Sequence, residues 1–286
     1  MQQTCQLAFL TTLTDTDHIH NLLASIAFNN QTVDLVILLL QQNGIRVDVS
    51  SYQTDCTRII PLTYPNQLSL SAARNRLIAY SNRHLAPQYI MFPDDDSTYD
   101  ASFFDRLEAA APGNKLINVR HADRDGYFHA LPAAHKPLSP KDYKLAISVN
   151  MILTPKTIER IGTFDERLGT GARYGAGEDN DYFIRALQVA PFSLCPQLYN
   201  LHPSCATTFS QLTLRQLVQR FNNYGKGIVF MLCKNKLRSQ AIYVCIRALG
   251  GAITSLLRLR LRMTMAYFLS FFTRTYILFS SFFRTL

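Results

Sequence analysis

From Val33 to Leu40 the chain is aliphatic at every position but Asp34, and the run stops at the turn signal Asn43-Gly44. A run of this length without polar alternation predicts a strand buried on both faces, which only a sheet covered by helices on either side can provide. The flanking segments fit that demand. Gln6 to Leu13 reads as a short apolar strand, and His18 to Phe28 places Ile19, Leu22, Leu23 and Ile26 at helical spacing. A strand is expected over Thr57 to Pro61, a helix over Leu70 to Arg83, and a further apolar strand over Tyr89 to Pro93. Strands alternating with helices imply an α/β fold with a mainly parallel, open central sheet.

Beyond it the expectation is a helix over Phe103 to Ala111, a strand over Lys115 to Val119, and a polar, loop-like stretch from Arg120 to Lys144. Leu145 to Leu153 reads as a strand, Pro155 to Ile161 as a helix, and Glu178 to Val189 as a helix entered through Gly175-Ala176-Gly177. The N-terminus lacks the positive and long apolar regions of a secretory leader, and reads as the start of the fold. Six cysteines without metal-ligand spacing suit a reducing compartment.

Charge is distributed by region. The net charge is +9, yet Asp181 is the last acidic residue. Residues 182–286 are basic or neutral, and after about residue 210 they turn apolar, helical and arginine-studded, with Gly250-Gly251 as the expected break. This sets a boundary between a catalytic domain over 1–210 and an appendage over 211–286.

Two acidic clusters stand out. In an open α/β sheet, ligands bind beyond the carboxyl ends of the strands, and Asp94-Asp95-Asp96 follows the strand ending at Pro93. Adjacent carboxylates repel one another, and a hard divalent cation such as Mg2+ or Mn2+ compensates them. Asp94 and Asp96 are expected to point the same way from an extended segment. The structural alternative is a solvated turn, or a cap for the helix near Ala101. The second cluster, Gly177-Glu178-Asp179-Asn180-Asp181, opens a helix, where carboxylates also serve as caps.

Taken with Ser71-Ala72-Ala73-Arg74-Asn75 and Thr163-Phe164-Asp165-Glu166-Arg167-Leu168-Gly169, the clusters make the chain resemble the family 2 inverting glycosyltransferases over about residues 5 to 235. That resemblance implies a GT-A fold using a nucleotide-diphosphate sugar, a UDP-sugar by default. It implies that Asp94 and Asp96 hold the metal, with His202 completing the site. Arg74, Asn75 and the aspartates 94, 95 and 96 would bind the donor, Asp179 would be the catalytic base, and Glu178 and Asp181 would lie on the acceptor side. The second strand ends in Gln41-Gln42-Asn43-Gly44 where the family usually has an acidic turn, which leaves base recognition open.

In the tail, Ala241 to Leu257 and Met263 to Phe283 are apolar but interrupted by Arg247 and Arg274, so their uninterrupted runs fall short of the roughly 18 residues of a spanning helix. Arg247, Arg258 and Arg262 share a helical face by spacing, and Phe268, Phe271, Phe272, Phe279, Phe282 and Phe283 supply an apolar side. This pattern suits helices resting on an anionic membrane surface, at the cytoplasmic face of an inner membrane, with a saccharide or lipid-linked saccharide as acceptor. Nothing resembles a nucleic-acid recognition module. Two other readings stay open: a haloacid-dehalogenase-like phosphatase with Asp94 as nucleophile, and a non-catalytic membrane-bound carbohydrate-binding module.

Overall fold

A computed structural model describes residues 2–132, 137–203, 209 and 211–283. The chain divides into two compact units, one made of Met1–Phe164 and Tyr182–Ser204, the other of Asp165–Asp181 and Cys205–Leu286.

The first unit begins with β1 (Gln3–Leu13), α1 (Ile19–Asn29), β2 (Leu35–Gln41), β3 (Thr57–Thr63), α2 (Leu70–His84) and β4 (Leu85–Met91). The four strands form a parallel sheet in the order β3-β2-β1-β4. All seven residues of β2 are buried, as a doubly covered strand requires. Alternate residues of β1 (Leu7, Phe9, Leu13) share a core with Ile19, Leu22, Leu23 and Ile26 of α1, while α2 packs against β1, β2 and β4. Each such side chain withdrawn from water contributes about 1.5–3 kcal/mol. Ser69 caps α2 by accepting from the Ala72 N–H.

The chain continues through α3 (Ala101–Glu108), β5 (Asn114–His121), β6 (Tyr127–His129), β7 (Met151–Ile152) and α4 (Pro155–Ile161). It then enters α5 (Glu178–Val189), whose first four residues count with the second unit, and β8 (Phe192–His202). Here β5 is central: β6 and β7 flank it antiparallel, and β8 runs parallel to it. The register of β5 against β8 slips between Ile117 and Asn118, and the Asn118 amide fills the irregularity by donating to Pro196 O at 2.7 Å. Beyond the slip, His121 lies opposite His202.

In the second unit, α6 (Leu214–Lys234), α7 (Arg238–Leu257) and α8 (Leu261–Phe283) pack together. Thr213 and Gln216 cap α6 reciprocally. Segment Asp165–Asp181 lies on α6: Tyr174 stacks on Phe230 at 3.9 Å, and Gly227 admits the Ala176 backbone so closely that a Cβ would sit 2.4 Å from Ala176 O.

Several expectations are corrected. Leu145 to Leu153 is not one strand but turns over 140–145 and 148–150 followed by the two residues of β7. The cause is Asn150, whose side chain accepts from Ile147 N and donates to Leu145 O, folding the backbone on itself. The stretch 120–144 holds β6, and β8 went unread because Pro196 interrupts its pattern. Gly250-Gly251 does not break the tail. Helix α7 runs through both glycines, and Gly251 instead makes room for the Tyr267 ring. The turn falls at 258–260, where Leu259 takes φ +54°, so Arg258 and Arg262 do not share a continuous helix with Arg247. Because α7 continues through Arg247, Arg238–Leu257 is long and apolar enough by length and composition to cross a membrane.

Candidate functional site

The acidic triplet leaves β4 at the carboxyl end of the parallel sheet, as expected, but not in an extended conformation. Ser97 N–H donates to Asp94 O at 3.1 Å, closing a turn around Asp95 and Asp96. The turn, rather than strand alternation, brings Asp94 and Asp96 to one side. The capping alternative belongs to another residue: Asp100 accepts from Phe103 N–H and caps α3.

What the two carboxylates meet is His202, the last residue of β8. Its Nε2 lies 3.2 Å from Asp96 Oδ1 and 4.0 Å from Asp94 Oδ2. One donor atom from each of the three falls within 4.8 Å of the others. The ring is fixed in direction because its Nδ1 donates to Pro203 O at 2.8 Å, and Phe128 of β6 stacks on it with centroids 4.6 Å apart. With Nδ1 carrying that proton, the neutral ring turns the lone pair of Nε2 toward the carboxylates, as a metal ligand must.

Facing two carboxylates, the ring also favours its protonated form. Burial works against charge on His202, but the hydrogen bond and charge of Asp96 outweigh it and raise the imidazole above its ordinary value. Burial likewise disfavours the charged form of Asp96, and His202 overcomes it, holding that carboxyl below the usual range. Among the described residues no cation pairs with Asp95. Burial, then the charges of Asp96, Asp94 and Asp15, push it up to about 6.

A divalent cation fits this donor set by two tests. The donors are two carboxylate oxygens and an imidazole nitrogen, which suit Mn2+ or Mg2+. The turn also holds a polar atom with no hydrogen-bond partner, since Ser97 Oγ is out of solvent. An unsatisfied buried group costs about 1–3 kcal/mol, and one within the acidic turn marks a place that a polar ligand can satisfy.

Behind the turn, Arg74 of α2 is 2% exposed and donates to Asp94 Oδ1 at 3.3 Å, with its guanidinium 5.5 Å from the Phe164 ring centroid. Asn75 has both ends of its amide on the Phe164 backbone, accepting from the N–H at 2.8 Å and donating to the carbonyl at 3.0 Å. The Arg-Asn pair therefore props the acidic turn and anchors the chain at Phe164. Gln42, from the departing turn after β2, donates to Thr12 Oγ1 and accepts from Leu68 N–H, tying together the ends of β1 and β2 and the approach to α2.

In the second unit the three carboxylates of α5 have different fates. Asp181 is fully buried and accepts from Lys234 Nζ and Asn235 Nδ2, both at 2.9 Å. Glu178 is 8% exposed. Asp179, in the first turn of the helix, is partly buried. Lys234 also donates to Asp165 at 2.9 Å, so one ammonium holds both ends of the segment 165–181. Lys234, Asn235 and Phe128 were missed by sequence reasoning. Only Lys234 carried a signal, as a cation on a helix that follows the last acids in the chain.

No family model matches the chain, and no curated protein matches its sequence. Solved structures do. S. aureus TarS is 12% identical, with a TM-score of 0.51 over 80% of this chain and 43% of that one, so this chain spans less than half the length of that one. S. aureus TarS 1-349 in complex with UDP-GlcNAc is 13% identical, with a TM-score of 0.52 over 78% of this chain and 66% of that one. Mannosyltransferase PcManGT from Pyrobaculum calidifontis, in complex with GDP-Man and Mn2+, is 11% identical, with a TM-score of 0.54 over 95% and 87%. At these identities the likeness is one of fold. The chain has an α/β glycosyltransferase fold with a four-stranded parallel central sheet.

Proposed function

We propose that this protein is a metal-dependent, inverting glycosyltransferase of the family 2 type, moving a hexosyl or N-acetylhexosaminyl group from a nucleotide-diphosphate sugar to a hydroxyl of a saccharide acceptor. The observation that carries the reading is the convergence of Asp94, Asp96 and His202 at the carboxyl end of the parallel sheet. The neighbours solved in complex with UDP-GlcNAc, or with GDP-Man and Mn2+, support it. Asp94, Asp96 and His202 would hold Mn2+ or Mg2+, and a cation there supplies neutralisation of the charge that grows on the leaving diphosphate.

The chain's own residues supply the rest. Arg74 holds Asp94 in place from behind, and Phe128 and Pro203 fix the ring of His202. Asp179 is the base we assign, because it is the one carboxylate of its cluster that is not buried. Its carboxylate takes the proton as the acceptor oxygen bonds to the anomeric carbon. On the opposite face the bond from that carbon to the diphosphate oxygen breaks, through an oxocarbenium-like transition state, and the carbon inverts.

We place the protein at the cytoplasmic face of an inner membrane, lying on it through the tail, with a lipid-linked saccharide of a surface polysaccharide or lipopolysaccharide as acceptor. Supporting this, Ile242, Ile246, Leu249, Ile253 and Leu256 form one exposed stripe of α7, and Leu261, Met265, Phe268, Phe272 and Phe279 one of α8. Contiguous apolar surface of this kind marks an interaction face. Arg247 within α7 favours lying over spanning.

The test is thermal shift of the purified protein with UDP- and GDP-sugars with and without Mn2+. Stabilisation by one nucleotide sugar, lost with chelator and in Asp94→Ala, is expected. Release of phosphate from small phosphoesters with no response to nucleotides would instead favour the phosphatase.

A further inference from the structure

Between α6 and α8 runs an open groove of about 910 Å3. Its α6 wall is a single helical stripe, with Arg215, Val218, Gln219, Asn222 and Lys226 at offsets of 0, 3, 4, 7 and 11 residues. Arg215 and Lys226 make no ion pair with any described residue. No carboxylate lines the groove, and none follows Asp181 anywhere in the sequence. Asn222 is held in the wall by Thr273 Oγ1, which donates to its side-chain oxygen at 3.2 Å and leaves the amide nitrogen to donate elsewhere.

Met265 of α8 lines the same groove and is 50% exposed. It also opens the stripe Met265, Phe268, Leu269 and Phe272, at offsets of 0, 3, 4 and 7, each of them exposed. One residue therefore belongs both to a cationic, amide-rich groove and to an apolar surface. That combination suits an amphiphile: an anionic head between the α6 cations, with its chains against α8. Arg215 and Lys226 stand about 16 Å apart along the helix axis, too far to share one phosphate, so each end of the groove addresses its own head group.

We infer that this groove binds the phosphate head groups of anionic glycerophospholipids and so fixes the rotation of the tail on the bilayer. The inference rests on the membrane contact proposed above and adds where the lipid phosphates sit. A second copy of the chain is a poor occupant. A two-fold contact would set the same acid-free face against itself, bringing Arg215 and Lys226 toward the partner's cations.

The chain has no tryptophan, so a single introduced indole reports from one place. The experiment uses the full chain carrying Met265→Trp, checked for wild-type helical content, and phosphatidylcholine vesicles with or without phosphatidylglycerol and a trace of lipid labelled on its head group. Energy transfer from the indole to the label is expected only with phosphatidylglycerol. Arg215→Gln with Lys226→Gln should lower the bound fraction by about tenfold and abolish transfer per bound molecule. Arg258→Gln with Arg260→Gln removes the same charge from exposed positions outside the groove. It should weaken binding while leaving transfer per bound molecule unchanged.

Equal responses of the two double variants would overturn the groove and leave general surface attraction. Binding indifferent to phosphatidylglycerol would overturn it too, as would self-association without vesicles that the groove pair abolishes. If the wild-type chain bound no vesicle, the membrane contact would fall with the groove, while manganese-dependent nucleotide binding would still decide the donor site separately.

Discussion

Lys234 places its ammonium 2.9 Å from the carboxylate of Asp181, a side chain that no solvent reaches. Removing one member of such a pair strands a charge in the interior, so Lys234→Met should cost on the order of 3–5 kcal/mol, read by chemical denaturation. Adding Asp181→Leu should return part of that loss. A double variant no more stable than Lys234→Met would show that the pair is not the source.

Asp165, at the other end of the same ammonium, gives a pH dependence. Burial would raise its carboxyl, but hydrogen bonds from Arg167 and Lys234 hold it well below the usual range. A depressed folded value means that the unfolded chain binds the proton more tightly. The contribution is then present above the ordinary carboxylate value near pH 4 and is lost progressively as pH falls below it. Unfolding free energy should therefore decline through that window, and more shallowly in Asp165→Asn. Parallel curves for the two proteins would remove Asp165 as the cause.

His202 should matter to the cation and not to the fold. His202→Ala removes one donor of three, and we expect Mn2+ affinity in the presence of UDP to fall about 10- to 100-fold by calorimetry, with the unfolding midpoint little changed. An unaltered affinity would leave the two aspartates as the whole site.

Gly227→Ala tests the seat of the segment 165–181. The new methyl would meet the Ala176 carbonyl and amide, which are backbone and cannot rotate away. We expect about 1–3 kcal/mol of destabilisation and loss of glycosyl transfer, with Mn2+ binding retained at the aspartates. Gly250→Ala, where an added methyl meets nothing, is the matched control and should be neutral or stabilising.

The sheet was legible in the sequence because β2 has no polar face, and α1 because four aliphatic residues recur at helical spacing; in both, local pattern and burial agree. The strand β8 was not, since Pro196 and the slip against β5 break its alternation. For the site, the residue types were readable and their arrangement was not. That Asp94 and Asp96 converge depends on a turn, and that Asn75 grips Phe164 depends on a contact 89 residues away in sequence. The pairing of Asp181 with Lys234 and Asn235 was not legible either, since both lie more than 50 residues further on.

The bracket that Lys234 places on Asp165 and Asp181 bears on more than stability. The segment between them is fastened at both ends, stacked through Tyr174 on Phe230, and closed on itself where Gly169 N–H meets Tyr174 O. Asp179 rides two residues before the second fastening point, so its backbone has surrendered its orientational freedom during folding. With Asp179 as the base proposed above, substitutions at the bracket should show themselves as an entropic loss in transfer even where every side chain near the reacting atoms is intact.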